Sequence, residues 1–148
     1  MSEGGAKQRE LAERGAGMLP GHMGLTIEPD GDGGMRGWFE VAPHHLAPNG
    51  FLHAASVVAL ADSACGYGCF AGLPEGASGF TTVELKSNFV GTAREGRVET
   101  VARRVHGGRT TEVWDATVTH GGRAIAYFRC TQMILWPRVG RGPRVVAL

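Results

Sequence analysis

The chain has 148 residues, 24 of them glycine and 7 proline, with 43% apolar residues and a net charge of +1. The glycines follow no three-residue period, and the chain is too apolar and too weakly charged for disorder, so collagen and disordered classes are excluded and one globular domain is expected. The 15 basic and 14 acidic residues are interspersed, without the basic stripe of a nucleic-acid binder.

The predicted elements follow in chain order. Met1 to Gly17 is charged and lacks the apolar core of a signal peptide. Within it, Ala6 to Arg14 suggests a short polar helix, which Gly15, Gly17, Pro20 and Gly21 are expected to end. Met23 to Ile27 suggests a first strand. Asp30-Gly31-Asp32-Gly33-Gly34 is a turn signal between alternating runs, and Arg36 to Val41 is the hairpin partner. Pro43, Pro48 and Asn49-Gly50 mark an irregular loop.

From His53 to Ala71 the spacing becomes helical, with Val57, Val58, Leu60, Ala61, Ala64 and Cys65 and small residues all around. A helix apolar on nearly every side is a buried one. Gly66, Gly68 and Gly72 each cost it about 1 kcal/mol relative to alanine, so close approach of another backbone or a ligand is expected there. No run of 18 apolar residues suggests a membrane span.

Four runs of strand type follow: Thr81 to Val90, Arg97 to Val105, Arg109 to His120 and Arg123 to Trp136. In the first, Val83, Leu85, Ser87 and Phe89 alternate with Thr82, Glu84, Lys86 and Asn88; in the third, Trp114, Ala116 and Val118 share one face. Glu95-Gly96, Gly107-Gly108 and Gly121-Gly122 lie between them, and such short glycine loops make antiparallel hairpins. The expected fold class is α+β, one antiparallel sheet covering one central helix. The expected division is an N-terminal helix and extension over 1–22, one domain over 23–136 and a mobile tail over 137–148.

Asp62, in Leu60-Ala61-Asp62-Ser63-Ala64, is the sharpest chemical signal. An unpaired carboxylate in an apolar helix costs several kcal/mol or shifts its pKa. It is either an interface carboxylate paired with an arginine, or a general base or nucleophile. The helix start, Asn49-Gly50-Phe51-Leu52-His53-Ala54-Ala55, offers N–H donors suited to an oxyanion, or is simply where a helix begins. His44-His45 is not read as a metal site, because neighbours in an extended segment point opposite ways. Cys65, Cys69 and Cys130 form neither a metal spacing nor a disulfide set, which suggests a reducing, cytoplasmic compartment. Cys65 and Cys69 share a helix face and are read as packing residues.

Together these residues resemble the hotdog-fold acyl-CoA thioesterases, closest to the 4-hydroxybenzoyl-CoA and phenylacetate-pathway branch. That family shows a loop ending in His-Gly-Gly and then a helix with Leu-Ala-Asp-Ser/Thr-Ala. Here His53-Ala54-Ala55 precedes Leu60-Ala61-Asp62-Ser63-Ala64 at the family's spacing, followed by Glu84-Leu85-Lys86-Ser87-Asn88-Phe89 and Gly107-Gly108-Arg109. The resemblance implies a hotdog fold and hydrolysis of an acyl-CoA thioester, aryl or arylacetyl groups favoured. Asp62 is then nucleophile or general base. The Ala54 N–H, with Ala55, polarises the carbonyl, and His53 and Asn49 shape the pocket. Ser63, Lys86 and Arg109 lie on the substrate, the last two toward the coenzyme A phosphates. No metal and no cofactor beyond the coenzyme A of the substrate is implied. The active site requires a homodimer, and two dimers form a tetramer. The departure is that both family glycines are alanine here. A non-catalytic acyl-CoA-binding module and an acyl-thioester hydratase or dehydratase are the alternatives.

Overall fold

The computed structural model describes residues 3–138 and 140, so most of the expected tail lies outside the described residues. Six strands form one antiparallel sheet: β1 (Thr26–Pro29), β2 (Met35–Glu40), β3 (Gly79–Phe89), β4 (Arg97–Gly107), β5 (Thr111–His120) and β6 (Arg123–Leu135). Their order across the sheet is β1-β2-β4-β5-β6-β3. One 18-residue helix, α3 (Ala54–Ala71), lies on one face and touches all six strands. Leu60, Ala61, Ala64, Cys65 and Cys69 of this helix are fully buried among Phe39, Val98, Trp114, Phe128 and Ile134. By length and hydropathy α3 matches a membrane span. The sheet that covers it accounts for that composition as a core helix.

Gly66 and Gly68 of α3, where close approach of a backbone or a ligand was expected, are crowded by aromatic rings of the sheet. A Cβ on Gly68 would stand 2.4 Å from the Trp114 ring, and one on Gly66 3.2 Å from Phe80. Gly72 is uncrowded and caps the helix end.

The N-terminal region differs in detail from expectation. Helix α1 runs over Glu3–Gly15 and packs on α3, where Gly15 comes close to the Tyr67 hydroxyl. Pro20 does not end a helix. It sits in the first turn of a four-residue helix, α2 (Leu19–His22), where its missing N–H has no intrahelical role. Met23 and Gly24, expected to begin the first strand, form the turn that closes α2, so β1 starts at Thr26.

The two sheet edges are unlike. β1 is four residues long and ends in proline, a blunted edge. β3 is eleven residues long and, among the described residues, pairs only with β6. It exposes Val83 (50%), Leu85 (42%) and Phe89 (46%). A register shift between Thr82 and Glu84 marks a bulge at Val83. An inserted residue reverses the face of everything beyond it. Thr82 therefore turns toward α3, whereas Glu84, Lys86 and Asn88, expected on its face, lie on the far side of the sheet with Thr131, Arg129 and Tyr127 as their register partners.

Candidate active site

The loop before α3 is held by His45. Its Nδ1 accepts the Ala42 N–H (2.9 Å), so its Nε2 carries the proton and donates to the Met23 carbonyl (2.8 Å). Its own carbonyl accepts the His53 N–H (2.9 Å) and the Ser56 hydroxyl (2.8 Å). Burial pushes its imidazole below the ordinary histidine range, which keeps the neutral form that this pattern needs. His44 and His45 lie in a 3-10 turn, Pro43–His45, not an extended segment, and their rings meet tilted at 46° with centroids 4.1 Å apart. Among the described residues no three or more His, Cys, Asp or Glu side chains gather as metal ligands.

Asn49 makes the turn that follows. Its side-chain oxygen accepts the Phe51 N–H (3.1 Å), and Gly50 takes the left-handed conformation (φ 82°) that favours glycine. Phe51 carries the Arg94 guanidinium over its ring at 4.6 Å.

His53 is the N-cap of α3, with φ −70° and ψ 136°. Its Nδ1 accepts the Ala55 N–H (2.9 Å). The Ala55 donor, expected to help polarise a carbonyl, is therefore engaged in capping. The Ala54 N–H has no acceptor among the described residues, as the first N–H of a helix has no intrahelical partner. Ala54 is exposed, and no residue other than glycine has positive φ among the described residues. Alanine in place of the family glycine is thus unstrained and keeps its donor.

Asp62 lies two turns further along α3, half-buried. Burial raises its carboxyl above the usual range, and the Thr82 hydroxyl, 3.1 Å from its Oδ1, opposes that shift. Thr82 also lies 2.9 Å from the fully buried Gln132 side chain. No arginine pairs with Asp62 among the described residues. Ser63 is half-buried next to it. The neighbouring thiols of Cys65 and Cys69 are buried and raised, Cys65 chiefly by its hydrogen bond to Cys130 and Cys69 by burial, so they are inert.

The expected residues therefore fall into two groups on one helix. Asn49, His53, Ala54 and Ala55 form its start, and Asp62 and Ser63 lie mid-helix. Lys86 and Arg109 join neither. Lys86 lines an open groove with Asn88, Asp115, Tyr127 and Arg129 on the opposite face of the sheet. Arg109, at the β4–β5 turn, lies over the Trp136 ring (5.0 Å) while its carbonyl accepts the Trp136 indole N–H (3.0 Å). Thr82, Gln132 and His45 were not among the expected site residues. A polar residue on the alternating buried face of β6 was the available sign of Gln132.

The family model of the thioesterase superfamily matches residues 49–130, from the helix-start turn through Asp62 to β6. The chain belongs to this superfamily. It is 32% identical over 129 residues to the 1,4-dihydroxy-2-naphthoyl-CoA hydrolase of Escherichia coli, covering 84% of this chain and 92% of that one. Among solved structures, a mutant of the thioesterase PA1618 from Pseudomonas aeruginosa superposes with a TM-score of 0.81 at 26% identity, covering 86% of this chain and 93% of that one. The PaaI protein of the Escherichia coli phenylacetic acid degradation operon has the same fold, with a TM-score of 0.78 at 19% identity over 89% of this chain and 93% of that one. This hotdog thioesterase is thus a thioester hydrolase, and the sheet wrapped on α3 is the superfamily's hotdog arrangement.

Proposed function

We propose that this thioesterase hydrolyses an acyl-CoA thioester, aryl or arylacetyl groups favoured, to the free acid and coenzyme A. The observation that carries this reading is a carboxylate, Asp62, and an N–H donor without an acceptor among the described residues, that of Ala54, on one apolar helix. Asp62 takes a proton from water as it adds to the carbonyl carbon, or adds to that carbon itself. The Ala54 N–H holds the oxyanion that develops. Collapse expels the coenzyme A thiolate, which receives the proton that Asp62 took from water; where Asp62 itself has added, water then hydrolyses the mixed anhydride, freeing the acid and Asp62 and supplying the thiolate's proton. Coenzyme A belongs to the substrate, and the residues invoked need no separate cofactor. The aryl preference is supported by the bicyclic aromatic acyl group in the name of the E. coli relative. Lys86 and Arg109 do not enter this proposal, because neither touches the two groups.

The two groups cannot meet on one thioester within a protomer. Eight residues of helix separate them by about 12 Å along the axis. A second copy resolves this, and the free β3 edge is its proposed seat. Asp62 is level with Thr82, and Gly66 is level with Phe80. Four helical residues and two strand residues both span about 6 Å. Across the bulge at Val83 the same step leads from Thr82 to Leu85, so residue 58 of α3 is level with Leu85, one residue from the midpoint of β3 (Gly79–Phe89). Antiparallel pairing of two β3 edges about Leu85 brings residue 54 of one α3 opposite residue 62 of the other. The exposed Val83, Leu85 and Phe89 fit such a seam.

Release of free thiol from a panel of acyl-CoA substrates tests the activity. Higher kcat/KM for benzoyl-, phenylacetyl- or naphthoyl-CoA than for straight-chain acyl-CoA is expected; equal rates would overturn the aryl preference, and no turnover would overturn the reading. The seam is tested by Leu85→Asp, which is expected to yield a folded monomer by light scattering with turnover reduced to background. A Leu85→Asp protein that stays dimeric and active would remove this interface.

A further inference from the structure

We infer that Thr82 and Gln132 form a directed hydrogen-bond relay that holds one oxygen of Asp62 and leaves the other to act, with Thr82 as the positioning residue. The inference rests on the reading of Asp62 as the reactive carboxylate.

Thr82 Oγ1 lies 3.1 Å from Asp62 Oδ1 and 2.9 Å from the Gln132 side-chain carbonyl. A hydroxyl has one proton and cannot donate to both. The two ends of a glutamine amide occupy equivalent space, and the hydrogen-bond network decides between them. With the amide turned, Gln132 Nε2 donates to Thr82 Oγ1, and the Thr82 hydroxyl donates to Asp62. The Gln132 carbonyl then faces the Cys130 sulfur at 3.4 Å, where a thiol proton meets it. Each atom in the row thereby has a partner of the right polarity. With Asp62 ionised, as hydrolysis needs, the opposite orientation points an oxygen lone pair at another acceptor somewhere in the row. Gln132 and Cys130 are fully buried, so water cannot supply the missing donor, and an unmet group there costs about 1–3 kcal/mol.

The relay works against burial. Burial favours the protonated carboxyl, and the Thr82 donor favours the ionised one that hydrolysis needs. Other charges around the row are accounted for. The Cys65 thiol of α3 and the Cys130 thiol of β6 share a hydrogen bond. From β5, Glu112 is held by Arg104 of β4 (3.2 Å) and by the Trp114 indole (2.8 Å), and Asp115 is paired with Arg129 of β6. Glu84 and Lys86 of β3 lie on the opposite face of the sheet. β1 and β2 turn the uncharged Ile27, Met35 and Phe39 toward the core, and the ion pair of Glu10 with Arg14 on α1 is exposed.

The test is the pH dependence of kcat/KM for wild type, Thr82→Val, Thr82→Ser and Gln132→Met, with folding checked by circular dichroism. Thr82→Val is expected to move the acidic limb upward by about one pH unit and to lower kcat near neutrality about tenfold, with KM changed less than about twofold. Thr82→Ser is expected to restore both. Gln132→Met is expected to move the limb the same way by less, and it carries the comparison if Thr82→Val does not fold. An acidic limb unmoved in the folded variants, in an enzyme that Asp62→Asn inactivates, would overturn the relay. Full activity of Asp62→Asn would instead overturn the underlying role of Asp62.

Discussion

Asp62→Asn is expected to lower kcat by about 10²–10⁴, the usual contribution of a positioned general base, and by more if Asp62 is the nucleophile. The same change is expected to raise the melting temperature. The sign follows from the direction of the carboxyl shift. Burial raises the folded-state pKa above its unfolded value, so the folded protein holds this proton more tightly than the unfolded chain. The stability that protonation confers is present at low pH and is lost as pH rises through the raised value. Near neutrality the ionised group is therefore a net cost, which asparagine removes while keeping an acceptor for Thr82. In the wild type, kcat/KM should fall on acidification at a pH above the ordinary carboxylate range. Thermal melts and pH–rate profiles of the two proteins check both halves. An Asp62→Asn enzyme that is less stable and still active would contradict the assignment.

Ala54→Pro is expected to lower kcat by about 10²–10³, the effect of losing one oxyanion donor, with little loss of stability. Proline normally breaks a helix by removing a hydrogen-bonded N–H. Ala54 is the first residue of α3, and its N–H has no acceptor among the described residues. Proline is favoured at that position, and His53 already has the extended backbone (φ −70°, ψ 136°) required before a proline. The substitution therefore removes a donor and almost nothing else. It also tests where the site is assembled. In a mixture of Ala54→Pro and Asp62→Asn protomers, a heterodimer pairs the intact Ala54 of one chain with the intact Asp62 of the other at one of its two sites. Random exchange should recover about a quarter of wild-type activity. No recovery, with heterodimers present by native mass spectrometry, would place both groups of a site on one chain and overturn the shared-site geometry.

Much of this arrangement was legible in the residues. Helical spacing with small side chains identified α3 as a buried helix, and glycine-bounded alternating runs identified the hairpins, because both are local periodicities. Asp62 stood out because a carboxylate contradicts its apolar surroundings. Thr82 did not, for a definite reason. Alternation read through β3 groups it with Glu84 and Lys86, and the bulge at Val83 reverses that assignment. Gln132 and Glu112 left a different trace. Each continues a buried row, Gln132 that of Phe128 and Cys130 and Glu112 that of Trp114 and Ala116, so both were visible as polar exceptions. The crowding of Gly66 and Gly68 was foreseen from their cost to the helix, but its agents, Phe80 and Trp114, come from strands remote in sequence. Whether alanine fits at position 54 turned on backbone conformation, which a residue type constrains without specifying.

The sequence by itself determined the class of fold, the buried helix, the mid-helix carboxylate and the family resemblance, because each depends on spacing along the chain. Only the tertiary structure decided that His53 takes the Ala55 donor and leaves that of Ala54, that Thr82 faces Asp62, and that Lys86 stands on the other side of the sheet. These depend on caps, a bulge and strand register, where a shift of one residue reverses a side chain's face while leaving the sequence pattern almost unchanged.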